Sequence, residues 1–248
     1  MISVVIPTLN EEKNIVNILN SLALQKIDEG IEVVIADAHS QDKTKEKALE
    51  FKKKFKNLLI VEGGLPAVGR NRGALASTGD PIFFIDADMV ILEDDFLKKA
   101  VEYFRGKNLS IATTYLYPQS KKIIDHILIG IYNILLRPAK FIRPMGAMCI
   151  VASREMFERV GGYPEDVVMA EDHEFVNNCS KKGRYDVIPL YITMSVRRFD
   201  KEGRLKLLLK YLMATIHTLF KGPIKKPIFK YEFASYDKEK RSKMGLSR

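Results

Sequence analysis

Residues 82–91 read IFFIDADMVI, and no other stretch restricts the fold of the chain as closely. Four apolar residues, Ile82, Phe83, Phe84 and Ile85, run unbroken between the turn formers Gly79, Asp80 and Pro81 and the acids Asp86 and Asp88. Such a run reads as a strand buried on both faces, and therefore as part of a sheet covered by helices on each side. Its two carboxylates then sit at the strand end. In an open α/β sheet that end is where ligands bind, and acids two positions apart there can grip one hard cation whose other ligands are commonly phosphate oxygens. The same aspartates would serve equally as caps of a strand-to-helix turn, so the flanks must decide.

Before this stretch the pattern alternates. Residues 2–6 are a short apolar strand, and Pro7-Thr8-Leu9-Asn10-Glu11-Glu12 turns into a helix over about residues 13–24, with Ile15, Ile18, Leu19 and Leu22 on one face. Residues 31–36 form the next strand, ending in Asp37-Ala38-His39-Ser40-Gln41-Asp42 ahead of a Lys-rich helix with Ala48, Leu49 and Phe55 on its inner side. A third strand, residues 58–61, leads through Gly63-Gly64-Leu65-Pro66 to a helix carrying Gly69-Arg70-Asn71-Arg72-Gly73. Strands alternating with helices predict a parallel, doubly wound sheet over roughly the first hundred residues, by the rule of right-handed crossovers. Further on, residues 111–117 and 146–152 read as strands, and Ile192 to Val196 as an apolar run ending at Arg197-Arg198-Phe199.

The predicted strand ends carry Thr8, Asn10, Glu11, Asp37, Ser40, Asp42, Arg70 and Asp86. Singly, each has an ordinary explanation as a cap, a first-turn acid or a surface cation. Together they offer acceptors for a base and ribose and a cation for phosphate, which is the composition of a nucleotide diphosphate pocket. Two common nucleotide motifs are absent: no G-x-G-x-x-G follows the first strand, and Arg70-Asn71 stands where a P-loop would need Lys-Ser/Thr.

Composition narrows the class. The chain has 248 residues, 46% hydrophobic and 29% charged, enough for a full core and too apolar for a disordered segment. Cys149 and Cys179 show no C-x-x-C spacing, so neither a disulfide framework nor a zinc site is expected, and the compartment reads as reducing. The N-terminal MISVVIPTLN lacks a basic region before its short apolar run, so no signal peptide is expected. Net charge is +9, but residues 197–248 hold 15 basic and 5 acidic side chains, whereas the preceding part is nearly balanced. A basic block of this kind is either a solvated tail or an arm for an anionic partner.

Five segments in one order carry a resemblance: SVVIPTLNEE at 3–12, ADAHSQDKT at 36–44, GRNRGALASTGDPIFFIDADM at 69–89, GAMCIVASREMFERVGGYPE at 146–165 and AEDHEF at 170–175. Over about residues 2–200 the chain resembles the GT-A glycosyltransferases of family 2, nucleotide-diphospho-sugar transferases. The resemblance implies an α/β fold of the GT-A, Rossmann-like kind, with a mostly parallel central sheet flanked by helices. It also implies that Pro7, Thr8, Asn10 and Glu11 line the base and ribose, that Asp37 meets the base edge, and that Arg70 lies near the nucleotide. Asp86-Ala87-Asp88 matches the family's D-x-D element: Asp88 is then the direct ligand of Mg²⁺ or Mn²⁺, Asp86 turns toward ribose and metal, and Ala87 lies against the nucleotide sugar. Glu171 and Asp172 match its E-D element, which makes Asp172 the general base, with His173 a weaker rival; without the resemblance, both acids would merely complement a helix dipole. Ser195-Val196-Arg197-Arg198-Phe199 departs from the Q-x-x-R-W of family polymerases and the chain has no Trp, so a single transfer is expected, with Arg198 toward the diphosphate.

Two apolar stretches remain, residues 123–136 and 205–220. The first has more apolar positions than one helical face needs, and the second places Leu205, Leu208, Leu209, Leu212, Ile216 and Leu219 along a stripe. Neither reaches the ~20 apolar residues of a spanning helix. Packing against the sheet or a partner subunit would explain either one. The second is followed by Lys221, Lys225, Lys226 and Lys230 among aromatics, the mixture of a helix at an anionic bilayer surface. No nucleic-acid motif accompanies these cations, so nucleic acid is not an expected partner. Residues 1–200 are thus expected to be the transferase domain, and 201–248 an amphipathic, basic extension. The expected setting is cytoplasmic, peripheral on the cytoplasmic membrane face, with a lipid-linked or glycan acceptor. The rival readings are a non-catalytic sugar-nucleotide-binding membrane adaptor and a phosphatase using the Asp-x-Asp pair.

Overall fold

Apart from half-buried Pro7, every residue of β1 (Ile2–Thr8) is buried, as are all of β2 (Ile31–Asp37) and all four of β4 (Ile82–Ile85). Strands covered on both faces require helices on each side of the sheet, and the computed structural model, which describes residues 1–226, has them. The chain forms two units, residues 1–165 with 171–196, and residues 166–170 with 197 onward.

The first unit holds a seven-stranded sheet. Between its first four strands run α1 (Glu12–Ala23), α2 (Thr44–Leu49) and α3 (Pro66–Ala76), with β3 (Asn57–Glu62) preceding α3. Then follow α4 (Phe96–Gly106), β5 (Ile111–Gln119), α5 (Ile123–Ala139), β6 (Cys149–Ala152), α6 (Arg154–Val160), α7 (Glu171–Ser180) and β7 (Tyr185–Ser195). The strand order is β3-β2-β1-β4-β6-β5-β7. Strands β1 to β4 are parallel, β6 runs antiparallel to both β4 and β5, and β5 and β7 are parallel. The expected GT-A-like α/β sheet is therefore present. Its connectivity reverses between β1 and β4, and this switch point opens a crevice at the carboxyl ends of both strands.

Glycine sets how closely α3 approaches. A Cβ on Gly73 would lie 2.4 Å from Val5 Cγ1, so only glycine lets the helix lie this near β1 and carry Arg70 toward the strand ends. Beneath the crevice, Phe84 packs edge-on against Tyr163 and Phe175, and those two rings stack with centroids 4.0 Å apart.

Some local expectations shift. The Lys-rich helix stops at Leu49, which is exposed, and a 3-10 turn at Lys52–Lys54 follows, so the helical period does not extend to Phe55; Phe51 is the buried ring. The strand expected over 146–152 is paired only from Cys149, which leaves Gly146, Ala147 and Met148 as an extended approach to β6. Both cysteines are free and buried, and burial pushes their thiols up to about 12.

The second unit contains α8 (Arg197–Glu202) and α9 (Arg204–Lys221). Val168 N donates to Ile224 O at 2.9 Å, and Lys225 pairs with Asp166 at 2.7 Å. In α9 Leu207 and Ala214 are buried, whereas the stripe of Leu205, Leu208, Leu209, Leu212 and Ile216 is exposed. Lys230, with the rest of the basic stretch beyond 226, lies outside the described residues.

Candidate active site

The ends of β1 and β2 are laced together by their own polar residues. Thr8 stands opposite Asp37 in the parallel register and donates its hydroxyl to Asp37 Oδ1 at 3.2 Å, while Asp37 Oδ2 accepts from Ser40 N at 2.9 Å. Asn10 takes a left-handed conformation, φ 53°, that its short amide tolerates. From there its N–H donates to Ser40 Oγ and its Oδ1 accepts from Gln41 N, at 2.9 and 2.8 Å. Glu11 is buried beside it; its N–H donates to Thr44 Oγ1, and its carboxylate accepts from Asn14 Nδ2 at 2.6 Å. Asn10 and Ser40 are thus rivets between two loops, not helix caps. Pro7 stays half-buried at the same edge.

One strand over, Asp86, Ala87 and Asp88 follow β4 in a turn closed by Met89 N to Asp86 O at 3.2 Å. Both carboxylates are half-buried and Ala87 is buried between them. Because β4 and β1 are parallel, these acids and the Pro7–Glu11 turn lie at the same sheet edge, on either side of the switch point.

Arg70 ties this edge to a distant segment. Its Nη2 lies 2.7 Å from Asp86 Oδ1, its Nη1 lies 2.7 Å from Glu171 Oε1, and its guanidinium sits 5.4 Å from the Tyr163 ring centroid. Burial opposes the charge on Arg70, but the two carboxylates outweigh it and raise its pKa above the ordinary arginine value. For Glu171 the balance reverses. Burial, with Asp172 adding to it, outweighs Arg70 and pushes this carboxyl above the ordinary glutamate range.

Asp172 follows Glu171 in the first turn of α7. Its Oδ1 accepts from His173 N at 2.8 Å and lies 3.5 Å from His173 Nδ1. The backbone of Gly146 passes so near that a Cβ there would lie 3.0 Å from Asp172 O. In the antiparallel register Ile85 faces Cys149, so the residues before β6 run beside the turn after β4. Asp172 and the Asp-Ala-Asp turn therefore flank the same approach. Arg198 lies on α8, in the second unit.

Three contributors have no role assigned by the sequence. Glu171 matches the first acid of the E-D element, but its pairing with Arg70 leaves no sequence trace. Asn71 donates to Tyr163 O at 2.9 Å and accepts from Tyr163 N at 2.7 Å, fastening the Gly161-Gly162-Tyr163-Pro164 turn to α3. Tyr163 itself is buried beneath Arg70. The Gly-Gly pair was the available signal, since it marks a turn held close to something.

Among the described residues no group of three or more His, Cys, Asp or Glu side chains forms a metal cage. Two half-buried carboxylates on one turn nevertheless fit a hard divalent ion, which takes its remaining ligands from substrate phosphate and water.

Comparison with known proteins agrees with this architecture. A glycosyltransferase of Staphylococcus haemolyticus named for 4,4'-diaponeurosporenoate is 29% identical over 131 residues, 51% of this chain and 34% of that protein. Staphylococcus aureus TarS 1–349 in complex with UDP-GlcNAc superposes with a TM-score of 0.66 at 21% identity, over 78% of this chain and 58% of that one. A Pyrobaculum calidifontis mannosyltransferase in complex with GDP-Man and Mn²⁺ gives 0.65 at 23% identity, over 86% and 64%. The chain spans only 28% and 34% of the length of the first two curated relatives it matches. The profile of glycosyl transferase family 2 matches residues 3–160, and the chain belongs to that family.

Proposed function

We propose that the chain is a metal-dependent, inverting, non-processive glycosyltransferase that moves a sugar from a UDP- or GDP-sugar to a lipid-linked or glycan acceptor. The observation that carries this reading is the gathering of the β1, β2 and β4 ends, Arg70 and the Asp172 segment around one switch point. Related structures hold UDP-GlcNAc and GDP-Man with Mn²⁺, which supports both donor class and metal.

In this reading Pro7, Thr8, Asn10, Glu11 and Asp37 seat the base and ribose, Ala87 lies against the nucleotide sugar, and Arg70 faces its phosphates. Asp86 and Asp88 would hold Mg²⁺ or Mn²⁺, which supplies Lewis-acid stabilisation of the charge on the departing diphosphate. Asp172 accepts the proton of an acceptor hydroxyl as its oxygen bonds to the anomeric carbon and the bond from that carbon to the diphosphate oxygen breaks. One base and no enzymic nucleophile give inversion. A phosphorylated lipid acceptor is already anionic and would not need the base. Residues 201–248 are assigned to contact with an anionic membrane surface at the cytoplasmic face; the exposed α9 stripe supports this.

Incubation with Mn²⁺ and individual UDP- and GDP-sugars, followed by assay of free nucleotide, tests the reading. Release with one donor class is expected. No release with any donor overturns it in favour of a non-catalytic sugar-nucleotide-binding adaptor. Asp172→Asn then separates the acceptors: transfer to a hydroxyl falls about 10²–10⁴-fold, whereas transfer to a phosphate is spared.

A further inference from the structure

Helix α5 is apolar on its outer face as well as its inner one. Ile123, Ile124, Ile127, Ile131, Ile134 and Leu135 recur at helical spacing along one face, and that face points outward, each residue 43–74% exposed. The opposite face buries Ile129 and Leu136 and also holds polar groups. Asp125 is fully buried and accepts from Ser120 Oγ, Tyr132 Oη donates to Gly146 O at 2.6 Å, and the Asn133 amide bonds both Leu116 N and Leu116 O, at 3.0 and 2.8 Å. Just past the helix, Phe141 and Ile142 are also exposed. A helix with water on its outer side would carry polar residues there, because six large apolar groups on one stripe keep a contiguous hydrophobic surface wet.

Charge identifies what covers it. Within residues 121–145 the only acid is the buried Asp125, while exposed Lys121 and Lys122 precede the helix and exposed Arg137 closes its last turn. A second copy of the chain is a poor occupant. Antiparallel stripes would set the two lysines against Arg137, and parallel stripes would set lysine against lysine, so either two-fold pairing opposes like charges. An apolar stripe between cationic ends fits the headgroup boundary of an anionic bilayer. The helix lies along that surface without crossing it, for among the described residues no helix is long and apolar enough to span a membrane.

We propose that the outer face of α5 is a docking surface for an anionic lipid bilayer. Tyr132 joins this helix to Gly146, whose backbone abuts Asp172, so docking sets the acceptor side of the candidate site at the membrane. This consequence rests on the proposed transferase function and selects its lipid-linked acceptor over a soluble glycan; the docking itself does not depend on catalysis.

The test uses the full chain with phosphatidylcholine vesicles containing or lacking phosphatidylglycerol. The natural chain is expected to float with the anionic vesicles, and Ile127→Ser/Ile131→Ser/Ile134→Ser is expected to lose about tenfold or more in partitioning while keeping its unfolding midpoint, since these side chains are exposed. The chain contains no Trp, so Ile131→Trp provides a single emission reporter that shifts to the blue on anionic vesicles, while Leu92→Trp, on an exposed loop, does not. Equal partitioning of the triple variant and the natural chain overturns the proposal, as does an unshifted Ile131→Trp spectrum. A dimer that the triple variant converts to monomer overturns it in favour of self-association. Nucleotide diphosphate affinity, measured by calorimetry without vesicles, reports the transferase reading separately: vesicle binding that the triple variant loses, without nucleotide binding, supports this surface and overturns that function.

Discussion

Arg70 Nη1 lies 2.7 Å from Glu171 Oε1 across 101 positions of sequence, and both side chains are largely withdrawn from solvent. A single guanidinium thereby joins the end of β4, through Asp86, to the start of α7. Removing one partner of such a pair strands the other charge, at a cost of about 3–5 kcal/mol. Arg70→Ala is expected to lose that much in urea denaturation, whereas Glu171→Gln, which keeps an acceptor oxygen for Arg70 and removes a disfavoured buried charge, loses far less. Equal losses would show that the pair is not the source.

Asp88 is tested through the cation. Asp88→Asn is expected to weaken Mn²⁺-dependent binding of a nucleotide diphosphate by roughly tenfold at least, the loss that even an outer partner of a metal ligand causes. In EDTA, calorimetry should find the variant and the natural protein equally weak. A difference that persists without metal would assign Asp88 another role.

Gly161 and Gly162 form an internal comparison. Both are left-handed, at φ 79° and 77°, so alanine at either meets the same backbone strain of about 1–2 kcal/mol. Only Gly162 also faces Asn71, whose Oδ1 would lie 2.5 Å from the added Cβ. Gly162→Ala is therefore expected to destabilise more than Gly161→Ala, and thermal melts of the two variants measure the difference. Loss of the Asn71 clamp on Tyr163 should accompany it, seen as faster proteolysis near residue 163.

Glu32 links stability to pH. Buried on β2, it accepts from Ser3 Oγ of β1 at 2.6 Å, from Thr78 N past the end of α3 at 2.7 Å and from Asn57 Nδ2 of β3 at 3.3 Å. Burial opposes its charge, but these donors outweigh it and hold the carboxyl below its usual 4.5. A depressed folded-state pKa contributes stability above the unfolded value, and that contribution disappears as pH falls through the folded value. Glu32→Gln should thus cost about 1–3 kcal/mol at neutral pH, and the gap should close below pH 4.5 in denaturation curves taken across the acid range.

Much of the architecture is local in origin. The apolar runs of β1, β2 and β4, each ended by polar or turn-forming residues, specify buried strands without reference to the rest of the chain, because a strand covered on both faces is built almost wholly of apolar residues; the exceptions Ser3 and Glu32 bond each other. That also placed Thr8, Asp37, Asp86 and Asp88 at strand ends. The Lys-rich second helix is shorter than its pattern suggests because Phe55 falls seven positions after Ala48, a helical spacing that nothing in the lysines between them interrupts.

Other features arise only once distant segments meet. The insertion of β6 antiparallel between β4 and β5, the double grip of Arg70, and the Asn71 clamp join residues up to 101 positions apart, and no periodicity records such a partner. Helix α5 shows the same limit most plainly. Hydropathy along residues 123–136 shows more apolar positions than one face needs, but which of them protein covers depends on where Tyr132 and Asn133 find hydrogen-bond partners, and those lie on other elements. Periodicity is a property of one segment, whereas burial is a property of two surfaces brought into contact.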